Sequence, residues 1–323
     1  MSLPKVFVTR IIPPEAQEIL NRVAEIEIWP QDTKPPQEVI IQKAAECIGL
    51  FTTIEDQINS EVLQSGKDSL KIVSNYAVGY DNFDIDTATK NGIIMCNTPD
   101  VLSQTTADLA FGLMLSIARN IVKGDNFVRS GKWTHWHPST LLGRDIYGAN
   151  LLVVGLGRIG LEVCRRAIGF GMEIFYHSRT RKLNLEKELG INYVSKLKDG
   201  ISKADFISIN TIMNDQTYHL FGKEEFNTMK NSAIIVNTAR GPIIDMESLY
   251  EALKNNQIAG AAVDVTEPEP IPNNHPILSL ENFVVTPHIG SASIETRKKM
   301  AIAAAKNIEA YLLKKTIPSS ING

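Results

Sequence analysis

The sequence predicts an α/β protein built from two doubly wound, parallel-sheet units. Three observations carry this. The chain has 323 residues, about two domains' worth. Its composition, 43% apolar and 21% charged, is that of a chain able to bury a core. Short apolar runs also alternate with amphipathic helical patterns along almost the whole length, and parallel strands need such crossover connections.

In the first hundred residues the strand candidates are 6–9, 26–29, 48–52, 70–74 and 93–96, most of them rich in Val and Ile. Helical stretches at 14–23, 36–45 and 84–90 separate them. The alternation then breaks. Residues 105–119 read as one long helix with Thr105 or Ser103 as N-cap, followed by a helical stretch to Ser130 and a loop, 131–148, that holds Trp133, His135, Trp136, His137 and Pro138. A second series of strands follows at 151–154, 173–176, 206–210, 233–237, 261–265 and 283–286. Residues 266–276 contain Pro268, Pro270, Pro272 and Pro276 and read as a stiff irregular loop. The last helix, 294–313, has few apolar partners near it in sequence and is expected to return to the first unit.

Composition also excludes partners. The net charge of −3 gives no footprint for nucleic acid or an anionic membrane. Cys47, Cys96 and Cys164 are scattered, with no metal-ligand spacing, so a disulfide framework or zinc site is not expected and a reducing compartment fits. Pro4, Lys5 and Arg10 stand where a secretory signal needs an apolar core. The most apolar helix, 109–118, is about half the ~20 residues that span a bilayer. The expectation is a soluble, cytoplasmic protein.

Residues 151–160 read Leu-Leu-Val-Val-Gly-Leu-Gly-Arg-Ile-Gly, a G-x-G-x-x-G run after a strand and before a helix. Gly155 allows the tight turn, Gly157 lets backbone approach a pyrophosphate, and Gly160 lets helix pack on strand. The helix start then offers free amides and a positive dipole end to phosphate. An ordinary strand–helix turn is the plain alternative, but the flanking elements favour a dinucleotide site. The next strand ends in His177-Ser178-Arg179-Thr180-Arg181-Lys182. An NAD site normally carries Asp or Glu there to grip the ribose 2′-hydroxyl. Ser178 and Arg179 instead suit a 2′-phosphate, so NADP(H) is preferred over NAD(H); a solvated basic loop is the other reading.

Three later strand ends carry reactive groups: Asn237-Thr238-Ala239-Arg240-Gly241, the run from Asp264 to Pro270, and Pro287-His288-Ile289-Gly290-Ser291. In open α/β sheets ligands bind outside the carboxyl ends of strands. An arginine fork suits a carboxylate, and a histidine can protonate a carbonyl oxygen as hydride reaches the carbon. A carboxylate beside such a histidine fixes its tautomer and favours the protonated ring. Singly, Arg240 reads as a salt bridge, Glu269 as a loop charge and His288 as a satisfied buried histidine. Together, after a dinucleotide loop, they point to hydride transfer.

Taken in order, residues 75–81, 97–102, 155–160, 237–241, 264–270 and 287–292 resemble the D-isomer-specific 2-hydroxyacid dehydrogenases. The resemblance runs from about Val6 to the C-terminus. Residues 133–138, 264–270 and 288–292, with Ile317-Pro318-Ser319, are most similar to the glyoxylate/hydroxypyruvate reductases. It implies a Rossmann-type cofactor domain, residues 102–291, inserted in a flavodoxin-like substrate domain, residues 1–101 and 292–323. It assigns Arg240 to the substrate carboxylate and carbonyl, His288 to acid/base catalysis and Glu269 to supporting that histidine. The amides of Val78 and Gly79 would hold the carboxylate, with Ser291 near the substrate. Gly157, Arg158 and Ile159 would contact pyrophosphate, and Arg179, Thr180, Arg181 and Lys182 the adenosine end. Thr211, Thr238, Asp264 and Gly290 would line the rest of the cofactor.

The resemblance further implies a homodimer through the cofactor domain, with the 133–138 loop either reaching the neighbouring active site or packing in the interface. The chain ends at Gly323 without the regulatory domain of long phosphoglycerate dehydrogenases, and Glu269 stands where formate dehydrogenases carry Gln. The expected activity is NADPH-dependent reduction of a short 2-oxo acid, glyoxylate or hydroxypyruvate, to the D-2-hydroxy acid. A 2-ketogluconate reductase of the same family is one alternative. A non-catalytic nucleotide-sensing protein is another.

Overall fold

A computed structural model describes residues 3–323 and divides them into two compact units, residues 3–102 with Ala292–Gly323, and Ser103–Ser291. The smaller unit holds β1 (Lys5–Val8), β2 (Glu25–Ile28), β3 (Gly49–Thr52), β4 (Ile72–Asn75) and β5 (Ile94–Cys96), joined by α1 (Pro14–Asn21), α2 (Gln37–Glu46), α3 (Ser60–Ser65) and α4 (Ile85–Lys90). All pairings are parallel, in the order β2-β1-β3-β4-β5, which is the flavodoxin-like arrangement. β3 and β4 are buried along their full length because helices cover both faces, with Leu50-Phe51 and Ile72-Val73 as their apolar stretches and the polar Thr52 and Asn75 at their ends. Asn59 and Asp84 cap α3 and α4 by accepting from the Val62 and Thr87 amides.

The C-terminal helix Ile294–Leu312 does return to this unit. Its small face, Ala301, Ala304, Ala305 and Ile308, is buried against Val6, Val8, Leu20, Phe51 and Ile72. Alanines on that face let the helix backbone come close to the sheet.

The larger unit opens with α5 (Ser103–Ala118) and α6 (Ile121–Arg129) and continues β6 (Asn150–Val154), α7 (Arg158–Gly169), β7 (Glu173–His177), α8 (Leu183–Leu189), β8 (Asn192–Tyr193) and α9 (Leu197–Lys203). After these come β9 (Phe206–Ile209), α10 (Lys223–Thr228), β10 (Ile234–Asn237), α11 (Met246–Lys254), β11 (Gly260–Val263) and β12 (Phe283–Val285). The sheet order is β12-β11-β10-β9-β6-β7-β8. Counted from β6, that is the 3-2-1-4-5-6 order of dinucleotide-binding domains with one strand added beyond the sixth. Core clusters lie on both sheet faces, one around Leu152, Ile207, Ile235 and Leu249, the other around Met114, Val153, Val163 and Val236.

Two details differ from the sequence reading. α5 already includes Ser103, so neither Ser103 nor Thr105 is its N-cap; the turn before it is made by residues 99–102, with Asp100 at φ 71°. β8 is a two-residue edge strand, too short to produce a period-two pattern. Among the described residues, no helix is long and apolar enough to cross a membrane.

Candidate active site

The reacting groups stand on loops that leave the carboxyl ends of β10, β11 and β12. Arg240 follows β10, and its loop is shaped by Asn237, the buried last residue of that strand. Asn237 Oδ1 accepts from the Ala239 amide (3.0 Å), and Asn237 Nδ2 donates to Arg240 O (2.8 Å). Gly241 is required next to it, since a Cβ there would lie 1.9 Å from Thr266 O. The Arg240 loop is thereby pressed onto the loop after β11.

Asp264 follows β11 and is 1% exposed. Its Oδ1 accepts from Thr286 Oγ1 (2.6 Å) and the Ile289 amide (2.8 Å), and its Oδ2 from the Gly290 amide (2.7 Å). The His288 amide donates to Asp264 O (2.9 Å). These bonds wrap the chain after β12 around one carboxylate and hold His288 at φ 54°, a left-handed conformation that costs about 1–2 kcal/mol for a residue with a Cβ. In that conformation His288 Nδ1 meets Glu269 Oε1 at 2.6 Å. Because the carboxylate only accepts, Nδ1 carries the proton of this bond, and Nε2 is the nitrogen left for chemistry.

Burial tends to raise the Glu269 carboxyl, but the His288 hydrogen bond and charge, the Thr266 amide and the Arg240 charge together hold it below its ordinary value. A second imidazole–carboxylate pair, His219 Nε2 to Glu267 Oε2 at 2.7 Å, anchors the other side of the Glu269 loop. Glu267 and Glu269 each precede a cis proline. The pair at 219 and 267 has no local signal in the sequence, because its members are distant along the chain.

The glycine loop sits between β6 and α7. Gly155 has φ 96°, and a Cβ there would meet the Asn210 and Thr211 backbone at 2.7 Å. At Gly160 it would meet Gly155 O at 2.1 Å, whereas at Gly157 it would meet nothing within 4 Å. The turn is closed on its inner side and open at Gly157, the N-cap of a 12-residue helix that no side chain caps. Thr238 Oγ1 and Asn210 Oδ1 are buried at the neighbouring strand ends with no partner among the described residues. An open glycine, an uncapped helix start and orphaned polar atoms fit a dinucleotide.

The other expected contacts divide. Thr211 borders Gly155, whereas Gly290 is packed against Asp264 and Thr106 after β12, and Ser291 follows it directly. Ser178 Oγ donates to Thr180 O (2.7 Å) and closes the 178–180 turn. Arg181 is spent locally, because its Nε and Nη2 make a two-pronged bond to Glu186 (2.9 and 2.8 Å) and its guanidinium lies over the Tyr193 ring. Among the described residues, Arg179 and Lys182 make no ion pair. Val78 and Gly79 belong to the smaller unit, on the loop after β4. The cysteines take no part, as burial pushes their thiols up to about 11 (Cys47) and about 12 (Cys96 and Cys164), away from the reactive thiolate.

Comparison with known proteins identifies the family. Residues 111–290 match the family model for the D-isomer specific 2-hydroxyacid dehydrogenase NAD binding domain. A glyoxylate reductase of Korarchaeum cryptofilum is 46% identical over 320 residues, covering 99% of this chain and 96% of that one. The chain belongs to the D-isomer-specific 2-hydroxyacid dehydrogenases. Within that family it is glyoxylate reductase-like. A crystal structure of a Thermus thermophilus protein aligns at TM-score 0.92 with 40% identity, covering 98% of this chain and 99% of that one. An NADPH-dependent glyoxylate/hydroxypyruvate reductase of Sinorhizobium meliloti, in complex with NADP and malonate, aligns at TM-score 0.87 with 29% identity over 99% of this chain and 97% of that one.

The lowered Glu269 carboxyl has a checkable sign. A carboxylate held below its ordinary value of 4.5 stabilises the fold fully above that value, and the contribution is lost as pH falls through the lowered one. Melting wild type and Glu269→Gln side by side should give a Tm gap that is present at pH 5.5 and shrinks at pH 3. A gap that widens toward pH 3 would contradict the assignment.

Proposed function

We propose that this enzyme reduces a short 2-oxo acid, glyoxylate or hydroxypyruvate, to the D-2-hydroxy acid with NADPH as preferred reductant and NADH as the poorer one. The observation that carries this reading is the His288–Glu269 pair at 2.6 Å, beside Arg240 and on the same side of the sheet as the glycine loop. It favours catalysis over nucleotide sensing, since a sensor needs no oriented imidazole.

The bound nicotinamide supplies a hydride for C2 of the substrate. His288, protonated on both ring nitrogens, donates its Nε2 proton to the carbonyl oxygen as C2 is reduced, and is left as the neutral ring whose remaining proton, on Nδ1, Glu269 holds. Arg240 orients the carboxylate and polarises the carbonyl, so that positioning and electrostatics carry most of the rate. Val78 and Gly79 amides take the carboxylate and Ser291 borders it. Gly157, Arg158 and Ile159 would hold the pyrophosphate on the turn that Gly155 and Gly160 shape, and Thr211, Thr238 and Gly290 the remainder of the nucleotide. Asp264 is assigned mainly to holding the His288 loop, since both of its oxygens are engaged there. In this reading the Ser103–Ser291 unit binds cofactor and the smaller unit binds substrate. The preference for NADPH rests on Ser178 and Arg179 in place of a carboxylate, supported by the Sinorhizobium meliloti relative with bound NADP.

We also read the enzyme as a homodimer. α6 buries none of its residues, and Val122, Val128, Trp133, Trp136, Leu142 and Tyr147 around it are exposed, the two tryptophans by 58% and 78%. So much apolar surface on one segment marks an interaction face. A second copy is the partner most consistent with it.

Kinetics, nucleotide binding and sedimentation test these readings. His288→Asn should lower kcat by about 10²–10⁴-fold, and Arg240→Lys should lower kcat/KM despite the retained charge, because the two-pronged grip is lost. Near wild-type rates for either, followed at 340 nm with glyoxylate and hydroxypyruvate, would refute its role. Arg179→Ala should weaken NADPH about tenfold or more and spare NADH, whereas Arg181→Ala should affect both alike; fluorescence titration of the two nucleotides decides. Sedimentation should give twice the monomer mass, and Trp136→Glu should shift it toward monomer.

A further inference from the structure

In the smaller unit, the direction of one loop is set by side chains distant in sequence. After β4 the chain leaves the sheet through residues 76–80. Three successive carbonyls of this loop accept bonds from the body of the unit. Ala77 O accepts from the Thr98 amide (2.9 Å), Val78 O from Asn97 Nδ2 (2.8 Å) and Gly79 O from Asn75 Nδ2 (2.9 Å). In a planar trans peptide, the carbonyl of one residue and the amide of the next point in opposite directions. Drawing these carbonyls inward therefore turns the amides of Val78, Gly79 and Tyr80 outward. None of the three donates a hydrogen bond among the described residues. Consecutive outward amides form a concave site for an anion.

The tethers are themselves oriented. Asn97 Oδ1 accepts from Ser319 Oγ (2.8 Å), which decides which end of the amide faces Val78. Asn97 O accepts from Asn307 Nδ2 (3.1 Å), on the buried face of the C-terminal helix. Beyond that helix the tail lies antiparallel to β5 through a bridge between Cys96 and Ser320. Two more bonds hold it, Ile321 N to Met95 O and Met95 N to Asn322 Oδ1, both 2.8 Å. Asn75, on the other side, is fully buried and faces Asn82 Oδ1 at 3.2 Å.

We propose that Asn97 and Ser319 are positioning residues for the substrate carboxylate, with the C-terminal tail acting through them on the amides of residues 78–80. Ser319 orients the Asn97 amide, Asn97 holds Val78 O inward, and the outward amides stay aimed at one point. This rests on the reading of Val78 and Gly79 as the carboxylate site, and it extends that site to Tyr80 and the tail.

Steady-state kinetics with the 2-oxo acid, and calorimetric titration of oxamate onto the NADPH-bound enzyme, test it on Ser319→Ala, Ser319→Thr and Asn97→Ala. Ser319→Ala should raise the 2-oxo acid KM and the oxamate Kd several-fold, and Asn97→Ala about tenfold, the worth of one well-placed hydrogen bond. kcat and the NADPH KM should stay near wild type, as for loss of uniform binding. Ser319→Thr, which keeps the hydroxyl, should restore the wild-type values. Unchanged KM and Kd in a wild-type background that turns over would overturn this proposal alone, as would a joint fall of every parameter with Tm. A wild-type chain that neither reduces a 2-oxo acid nor binds oxamate would overturn the carboxylate reading and this one with it. Should Asn97→Ala not fold, the Ser319 pair gives the same decision.

Discussion

A carboxylate withdrawn from water is tolerated only when its oxygens are bonded, and at Asp264 those bonds build the site. One hydroxyl and two amides satisfy it, and all three donors come from the chain just after β12. The loop must therefore curl around Asp264, and the curl puts His288 in the left-handed region. That conformation is unfavourable alone; it persists because releasing it would strand a buried charge, at a cost of about 1–3 kcal/mol or more for each lost donor. The His288–Glu269 bond and the choice of the ring nitrogen left free both follow from the curl.

The same device recurs at other strand ends. Asn237 closes the Arg240 loop from the end of β10, and Asn75 and Asn97 do so for the 76–80 loop from the ends of β4 and β5. Each is a polar residue, buried at Asn75 and Asn237 and half-buried at Asn97, where a strand meets its loop. Parallel strands make such positions available, because all the carboxyl ends in one sheet lie on one edge. A loop tied to a buried amide has little freedom left, so its functional groups are oriented before a ligand arrives, and binding pays less ordering entropy.

How much of this was legible follows from the range of each signal. β6 and β10 were readable because burial on both faces leaves runs of Val, Ile and Leu, and β3, β4, β9 and β11 because each keeps a short apolar stretch between turn signals. β8 was not, because an edge strand of two residues has no period. Arg240, Glu269 and His288 were readable because residue type and strand-end position together suggest chemistry. The tethers hid in the same motifs: Asn75, Asn97, Asn237 and Asp264 were all in view, but what an amide or a buried carboxylate holds depends on which loops the sheet brings together. Ser319 lies 222 residues from Asn97, beyond any local pattern. Arg181 was grouped with Arg179 and Lys182 as one basic run, yet Glu186 on the following helix captures it, aided by Tyr176 from the strand before, whose hydroxyl donates to Glu186 Oε1.

Asp264 and Glu269 show why two carboxylates so near in sequence do different work. Asp264 meets only amides and a hydroxyl from the chain after β12, so its output is shape. Glu269 is partly exposed and meets an imidazole and the field of Arg240, so in the proposed reaction it faces the ring that hands on a proton. Burying Glu269 as deeply as Asp264 would raise the cost of every protonation change in the pair, because an uncompensated charge in low dielectric costs far more than one near water. Partial exposure keeps that cost small, while the fully buried Asp264 keeps the geometry constant as the pair changes charge.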